Sequence, residues 1–316
     1  MTKRLRLSLI LICLLLTGLA SDPLYAQFPQ TIELGPHAGI TTYQGDINPW
    51  KLFNQFDLCY GGLVRYNYDS RWSFRLDYTY ATIKASDEKA GWRPERELSF
   101  QSKIHDVALI GEFNFMDFYT GKEDAFISPY LFAGFSWFKY KTAPYIEDAN
   151  RLYEIAGVSP DDKENMKRFH EVWDSALGSG SSFSIPFGIG CKLALSKHLA
   201  ASLEWSMHYT FTDMLDGVTG VYPADTAHLF FISKLVSSDK DGHPELQFKV
   251  VDQVDPEAVQ QGLYNTYYDL SDPTGKYREN QQRGDATTND MFGMLSFTLT
   301  WKIPLPGNSA CNVIKP

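Results

Sequence analysis

The chain has 316 residues, a formal net charge of −9 and 15% aromatic residues, among them 18 Tyr, 21 Phe and 7 Trp. So acidic a chain offers no basic surface for nucleic acid, and a charged content of only 21% excludes a disordered polyelectrolyte. The aromatic load is what requires a physical reason.

Residues 1–26 are predicted to be a signal peptide. Lys3, Arg4 and Arg6 form the basic region, Leu7 to Leu19 the apolar region, and Ala26 precedes the cleavage point. The apolar region is shorter than the ~20 residues a membrane-spanning helix needs. Its removal leaves 26 basic residues (29 − 3) against 37 acidic (38 − 1), a net charge of −11. Cys59, Cys191 and Cys311 then remain, without CxxC spacing. They read as packing residues, with a Cys59–Cys191 bridge left open, and the chain implies no metal and no cofactor.

The mature chain alternates. In 31–43, Ile32, Leu34, Pro36, Ala38 and Ile40 face one way and Glu33, Gly35, His37, Gly39 and Thr41 the other. "FDLCYGGLVRYNY" and "WSFRLDYTYA" form a hairpin across Asp69-Ser70-Arg71, with Trp72, Phe74, Leu76, Tyr78 and Tyr80 outward and Arg75 and Asp77 inward. "VALIGEFNF" (107–115) turns Glu112 inward. "SPYLFAGFSWFKY" (128–140) is apolar on both faces and has no evident orientation. Residues 183–195 and 199–211 form a long hairpin around Ser196-Lys197-His198, with Lys192 and Glu204 on the polar face. The last strand carries Leu295, Phe297, Leu299, Trp301 and Ile303 on one face.

Strands so long, with one greasy face and one small, polar or charged face, predict an all-β fold: a transmembrane antiparallel β-barrel of about eight strands with long extracellular loops. The barrel occupies 27–305, followed by a short C-terminal periplasmic tail, 306–316. A soluble β-sandwich would show the same alternation, but strand length, aromatic content and export favour the barrel. Short linkers at 68–71 and 196–198 alternate with long ones near 44–56, 84–100, 141–182 and 214–289, the outer-membrane arrangement. Trp72, Tyr80, Trp137, Tyr209 and Trp301 suit interfacial girdles.

An eight-stranded barrel is filled by side chains, so inward charges need partners. Arg65, Arg75, Asp77, Glu112, Lys192 and Glu204 are therefore predicted to form a structural ionic network. In the loops, 157–173 suits a short helix capped by Ser159 or Asp161 with a Glu164–Arg168 pair. "SSDKDGHPEL", around Asp239 and Asp241, lacks the ligand spacing of a calcium loop. His37, His105, His198 and His208 have no metal spacing, and no catalytic fingerprint is present, so the protein is expected not to be an enzyme.

"GITTYQGDIN" (39–48), "RELSFQSKIHDVALIGEFNF" (96–115), "PYLFAGFSWFKY", "SIPFGIGCKLALSKHLAASLEWSMHYTFTDMLDGVTGVY" and "CNVIKP" together resemble the PorG family of Bacteroidetes outer-membrane barrels. The likeness runs over essentially the whole mature chain. Its sharper parts are YxGDIN, R-x-LSF and TFTDMLDGV; the long insertions at 141–182 and 214–289 depart from the pattern. The resemblance implies a component of the type IX protein secretion system. It would be held in outer-membrane lipid beside a periplasmic ring of PorK-type lipoprotein and PorN-type subunits, and would support protein export and gliding motility. Gly45, Asp46, Asn48, Asp213 and Asp216 sit at predicted strand tops, either as a loop-ordering motif or as ordinary turn formers. The other functional expectation is a general outer-membrane surface barrel or adhesin with ligand-binding loops.

Overall fold

The computed structural model describes residues 30–121, 125–222, 230–238, 244–251, 261, 264–276, 281–285 and 287–304. The predicted signal peptide, the C-terminal tail with Cys311, and Asp239 and Asp241 lie outside the described residues.

Eight antiparallel strands close into a barrel: β1 (Thr31–Gln44), β2 (Asp57–Asn67), β3 (Trp72–Ser86), β4 (Ser99–Asn114), β5 (Ile127–Pro144), β6 (Gly178–Ala194), β7 (Leu199–Thr210) and β11 (Met291–Pro304). Each pairs with its chain neighbour, and β1 closes the ring on β11, Glu33 opposite Lys302 and Leu34 opposite Trp301. The remaining strands, β8 (Phe230–Ser238), β9 (Pro244–Val251) and β10 (Tyr264–Asp269), form a separate sheet in the order β10-β8-β9.

The alternation is inside out relative to a soluble barrel. Leu76, Leu109, Phe135, Ile189, Leu203 and Phe297 are all exposed, whereas Glu33, Arg65, Glu112 and Lys192 are no more than 1% exposed. Period-two patterning gives each strand two faces, and only a lipid solvent favours this assignment of them. On β5 the outward row runs Leu131, Phe135, Trp137 and then Lys139 and Lys141, which marks where that strand leaves the apolar zone. At eighteen residues, β5 exceeds the ~10 needed to span a bilayer, and its excess lies at the loop end. Trp72 and Trp301 lie toward the turn end, and Tyr80, Trp137 and Tyr209 toward the loop end.

The strand without evident orientation, β5, turns Tyr130, Phe132, Phe138 and Tyr140 inward. Both faces are apolar because the lumen itself takes aromatic rings, with Lys192 Nζ 4.6 Å from the Tyr130 ring centre and the Arg75 guanidinium 5.1 Å from that of Phe132. Room comes from β6: a Cβ on Gly190 would lie 2.6 Å from Tyr130 Cζ. Nearer the loop end the lumen is apolar, with Tyr43, Ile83, Phe100, Ile104, Phe138, Phe292 and Met294 in one cluster.

The long connections are not bare loops. After β3 comes one helical turn, α1 (Asp87–Ala90). Between β5 and β6 stand α2 (Ala149–Ala156) and α3 (Lys163–Trp173). The expected helix at 157–173 begins later and is capped by Asp162, not Ser159 or Asp161, because the Asp162 side chain accepts from the Asn165 amide. Its Glu164–Arg168 pair forms at 2.7 Å. Phe169 and Trp173 of α3 pack on Phe231 and Phe248 of the three-stranded sheet, giving this crown its own core. No Cys59–Cys191 bridge forms: both thiols are free, Cys59 buried on β2 and Cys191 exposed on β6.

Candidate functional site

The inward charges meet near the turn end of the lumen. Glu112 on β4 is the hub: Arg65 Nε lies 3.0 Å from it, Arg75 Nη1 3.1 Å and Lys192 Nζ 2.5 Å. Arg75 also grips Glu204 with two bonds of 2.6 Å, and Arg65 donates to Glu33 at 3.1 Å. Asp77 lies 3.5 Å from Arg75 and accepts or shares a proton with His37 Nε2 at 2.9 Å. All six predicted network residues are thus brought together, and Glu33, His37 and Thr120 complete the set. Glu33 was legible as an inward residue of the first strand; its role was not, because pairing partners across a barrel are set by register.

The connection after β4 turns back to close this mouth. Thr120 donates to Glu33 at 2.5 Å, Lys302 donates to the Thr120 carbonyl, and Phe118 is buried with Lys192 over its ring. Between the ionic and apolar tiers a void of about 20 Å³ remains, lined by His37, Arg75, Asp106 and His208 among others, room for roughly one water. His208 stacks on Phe292 with centroids 4.4 Å apart, and His198 stacks on Trp301. Among the described residues no group of His, Cys, Asp and Glu is arranged to hold a metal.

At the loop end the three sharper motifs converge into one latch. Tyr43, the tyrosine of YxGDIN, reaches Asp216 and Asp290 with its hydroxyl, each at 2.6 Å. Asp216 also accepts from the Val218 amide at 2.7 Å, and Asp290 from the Leu215 amide at 2.9 Å. Burial raises the Asp216 carboxyl to about 7 and holds Asp290 well above the usual carboxylate range. Asp46 takes the Asp285 amide at 2.8 Å. Asn48 donates to the Tyr43 and Lys51 carbonyls, and Asp213 accepts from Thr219 at 2.6 Å, partial burial lifting its pKa to about 6. Gly45 has no space for a side chain, since a Cβ would lie 2.1 Å from the Tyr43 hydroxyl.

Arg96, the arginine of R-x-LSF, is the bolt of this latch. Only 2% exposed, it binds Asp87 of α1 through two nitrogens, at 3.0 and 2.6 Å, and donates to the backbone carbonyls of Arg283 and Asp46. Arg283 in turn donates to the carbonyls of Ser271 and Gly217. A guanidinium carries five donors in a fixed fork, so two arginines suffice to tie four connections together. Of the five predicted loop-ordering residues, Asp46 and Asp216 bond across segments, Gly45 lies against Tyr43, and Asn48 and Asp213 bond within their own connections as turn formers do; the centre is Tyr43, Asp290, Arg96 and Arg283. The sequence signal for Arg96 was its place in R-x-LSF; nothing local marked Asp290.

Outward grease, an ionic lumen and closed ends define the class as a transmembrane β-barrel with a filled interior. Residues 6–157 match the profile of a family described as "Domain of unknown function (DUF6089)". No curated protein matches the chain. Solved structures similar to it include the outer membrane protein OprG from Pseudomonas aeruginosa (11% identity, 88% of this chain and 98% of that one, TM-score 0.35). Neisserial surface protein A has 11% identity, 86% and 97% coverage and a TM-score of 0.32. The N-terminal β-barrel domain of Pseudomonas aeruginosa OprF has 10% identity, 85% and 96% coverage and a TM-score of 0.30.

Proposed function

We propose that the protein is an outer-membrane β-barrel scaffold and anchor of the type IX protein secretion system. On this reading residues 1–26 direct its export and are cleaved. The apolar band sits in outer-membrane lipid, and the turn end ties a periplasmic ring of PorK-type and PorN-type subunits to the membrane, supporting protein export and gliding motility. The motif resemblance supplies the system; the observation that carries the mechanical role is the lumen closed at both ends. Thr120 and Phe118 block the turn end, the Glu112 hub and the apolar tier fill the middle, and the latch covers the top. A barrel so filled passes neither cargo nor solute, so its action lies at its surfaces.

In this role the six-residue ionic network is structural: paired charges hold register and fill the lumen, and no residue of it is assigned catalysis. The reading as a surface barrel with ligand-binding loops draws on the crown, whose separate core exceeds what an anchor needs. Photo-crosslinking separates the two. A crosslinker placed at Ser70 or Lys197 in the short turns should capture a periplasmic ring lipoprotein, whereas one at Glu171 on the crown should not. Capture from neither turn, in cells that secrete normally, would remove the scaffold.

A further inference from the structure

Beside the latch the loops leave a cleft of about 470 Å³, inside the ~300–1,000 Å³ range of small-molecule sites. Its walls are two indoles, Trp50 from the connection after β1 and Trp92 from the connection after β3. They stand 75% and 53% exposed, with ring centroids 6.5 Å apart and planes at 71°. Exposing two indoles forgoes the burial such side chains ordinarily contribute, and these two meet edge to face, each with much of its surface left open.

The remaining lining mixes apolar groups, Pro49 and Met291, with polar and charged ones, among them Asp46, Arg93, Gln282 and Asn289. Asp46 commits one carboxylate oxygen to the Asp285 amide, and Arg93 makes one long contact, 3.4 Å, to the Gln282 carbonyl. Donors and acceptors therefore remain in the cleft. The backbone beneath is fixed, since Arg96 holds the carbonyls of Asp46 and Arg283 from below.

That combination selects a ligand class. An acyl chain would strip water from Asp46 and Arg93, whose hydrogen-bonding capacity the protein uses only in part. A phosphate would meet the carboxylates of Asp46 and Asp285, while two of the three arginines in the lining, Arg96 and Arg283, are committed to Asp87 and to backbone carbonyls. A pyranose ring has an apolar C–H face to lie on an indole and a rim of hydroxyls, each able to donate and accept. We propose that this cleft binds one or two pyranose units of a neutral oligosaccharide, Trp50 and Trp92 stacking on the ring faces and Asp46, Arg93 and Asn289 holding the hydroxyls. The proposal is independent of whether the turn end meets a secretion ring.

The test uses the full mature chain in lipid nanodiscs, titrated with cellobiose, maltose, lactose and chitobiose while following tryptophan fluorescence and saturation-transfer NMR. At least one sugar should give saturable binding with Kd of about 1 mM or below. Trp50→Ala and Trp92→Ala should each weaken it at least tenfold, Asp46→Asn should weaken it, and Trp205→Phe on the barrel wall should leave it unchanged. Trp92→Phe, which keeps a ring, should retain more affinity than Trp92→Ala and guards against a folding defect. Absence of saturation with all four sugars to about 50 mM overturns the proposal. So does unchanged affinity in both tryptophan variants, or quenching of Trp50 and Trp92 by brominated acyl chains, which would make them membrane-belt residues.

Discussion

Tyr43 at the top of β1 bonds Asp216, 173 positions further along the chain, at 2.6 Å, and the same hydroxyl lies 2.6 Å from Asp290. A phenol has one proton to give, so two such contacts with carboxyl groups require one carboxyl to be protonated and to donate in return. The latch therefore stores a proton between a barrel strand and two loop segments, in a site sealed from water.

This storage sets a pH dependence. In the unfolded chain an aspartate ionises near pH 4. In the latch Asp216 is raised to about 7, and Asp290 is likewise held well above the usual carboxylate range by burial and by Asp216 itself. The folded latch thus binds more protons across that interval, and its stability falls as pH rises from about 4 to 7. Corrected for intrinsic exchange, amides of 213–219 should be better protected at pH 5 than at pH 8, and Asp216→Asn should flatten the difference. Greater protection at pH 8 would contradict the stored proton.

Tyr43→Phe removes the phenol and leaves two buried carboxyls facing a gap. Unpartnered buried acceptors cost about 1–3 kcal/mol, so local opening of the latch should become roughly tenfold to a hundredfold more frequent by hydrogen exchange. The barrel should keep its heat-modifiable gel mobility, because the Glu112 hub lies in another tier.

Arg75→Met strands Glu204 and weakens the hold on Glu112, and breaking a buried pair of this kind costs about 3–5 kcal/mol. Arg75→Met combined with Glu204→Gln removes both members and should recover more than half of the loss. Urea unfolding in detergent measures both; additive losses would mean that the two groups do not act as a pair.

Gly190→Ala drives a Cβ into the ring of Tyr130 and should cost about 1–3 kcal/mol, although alanine suits a strand better than glycine. Tyr130→Leu in the same chain should relieve part of that cost. Stability unchanged in the single variant would show that the ring moves freely, contrary to its full burial.

How much of this was legible in the sequence follows from the range of the interactions. Period-two alternation exposed the eight strands and the sidedness of Arg75, Asp77, Glu112, Lys192 and Glu204, because strand geometry is local. β5 resisted orientation because its lumen face carries Tyr130, Phe132 and Phe138, which only the glycines of β6 and the cations of other strands make sense of. The crown was missed: 214–289 contains short strands whose apolar partners, Phe169 and Trp173, lie on a helix far upstream. Asp290 was hidden for the same reason, and Arg96 was marked only by its place in R-x-LSF, since a latch of carbonyls and carboxyls from four connections has no local period.

Mechanical anchoring is open to a direct test: the tagged protein is purified from outer membranes in mild detergent. Co-purified proteins would be identified by mass spectrometry and heat-modifiable gel mobility recorded on the same sample. An anchor should give a heat-modifiable band together with a periplasmic ring lipoprotein. A heat-modifiable band recovered alone would contradict the anchor, leaving a free barrel whose action lies in its crown.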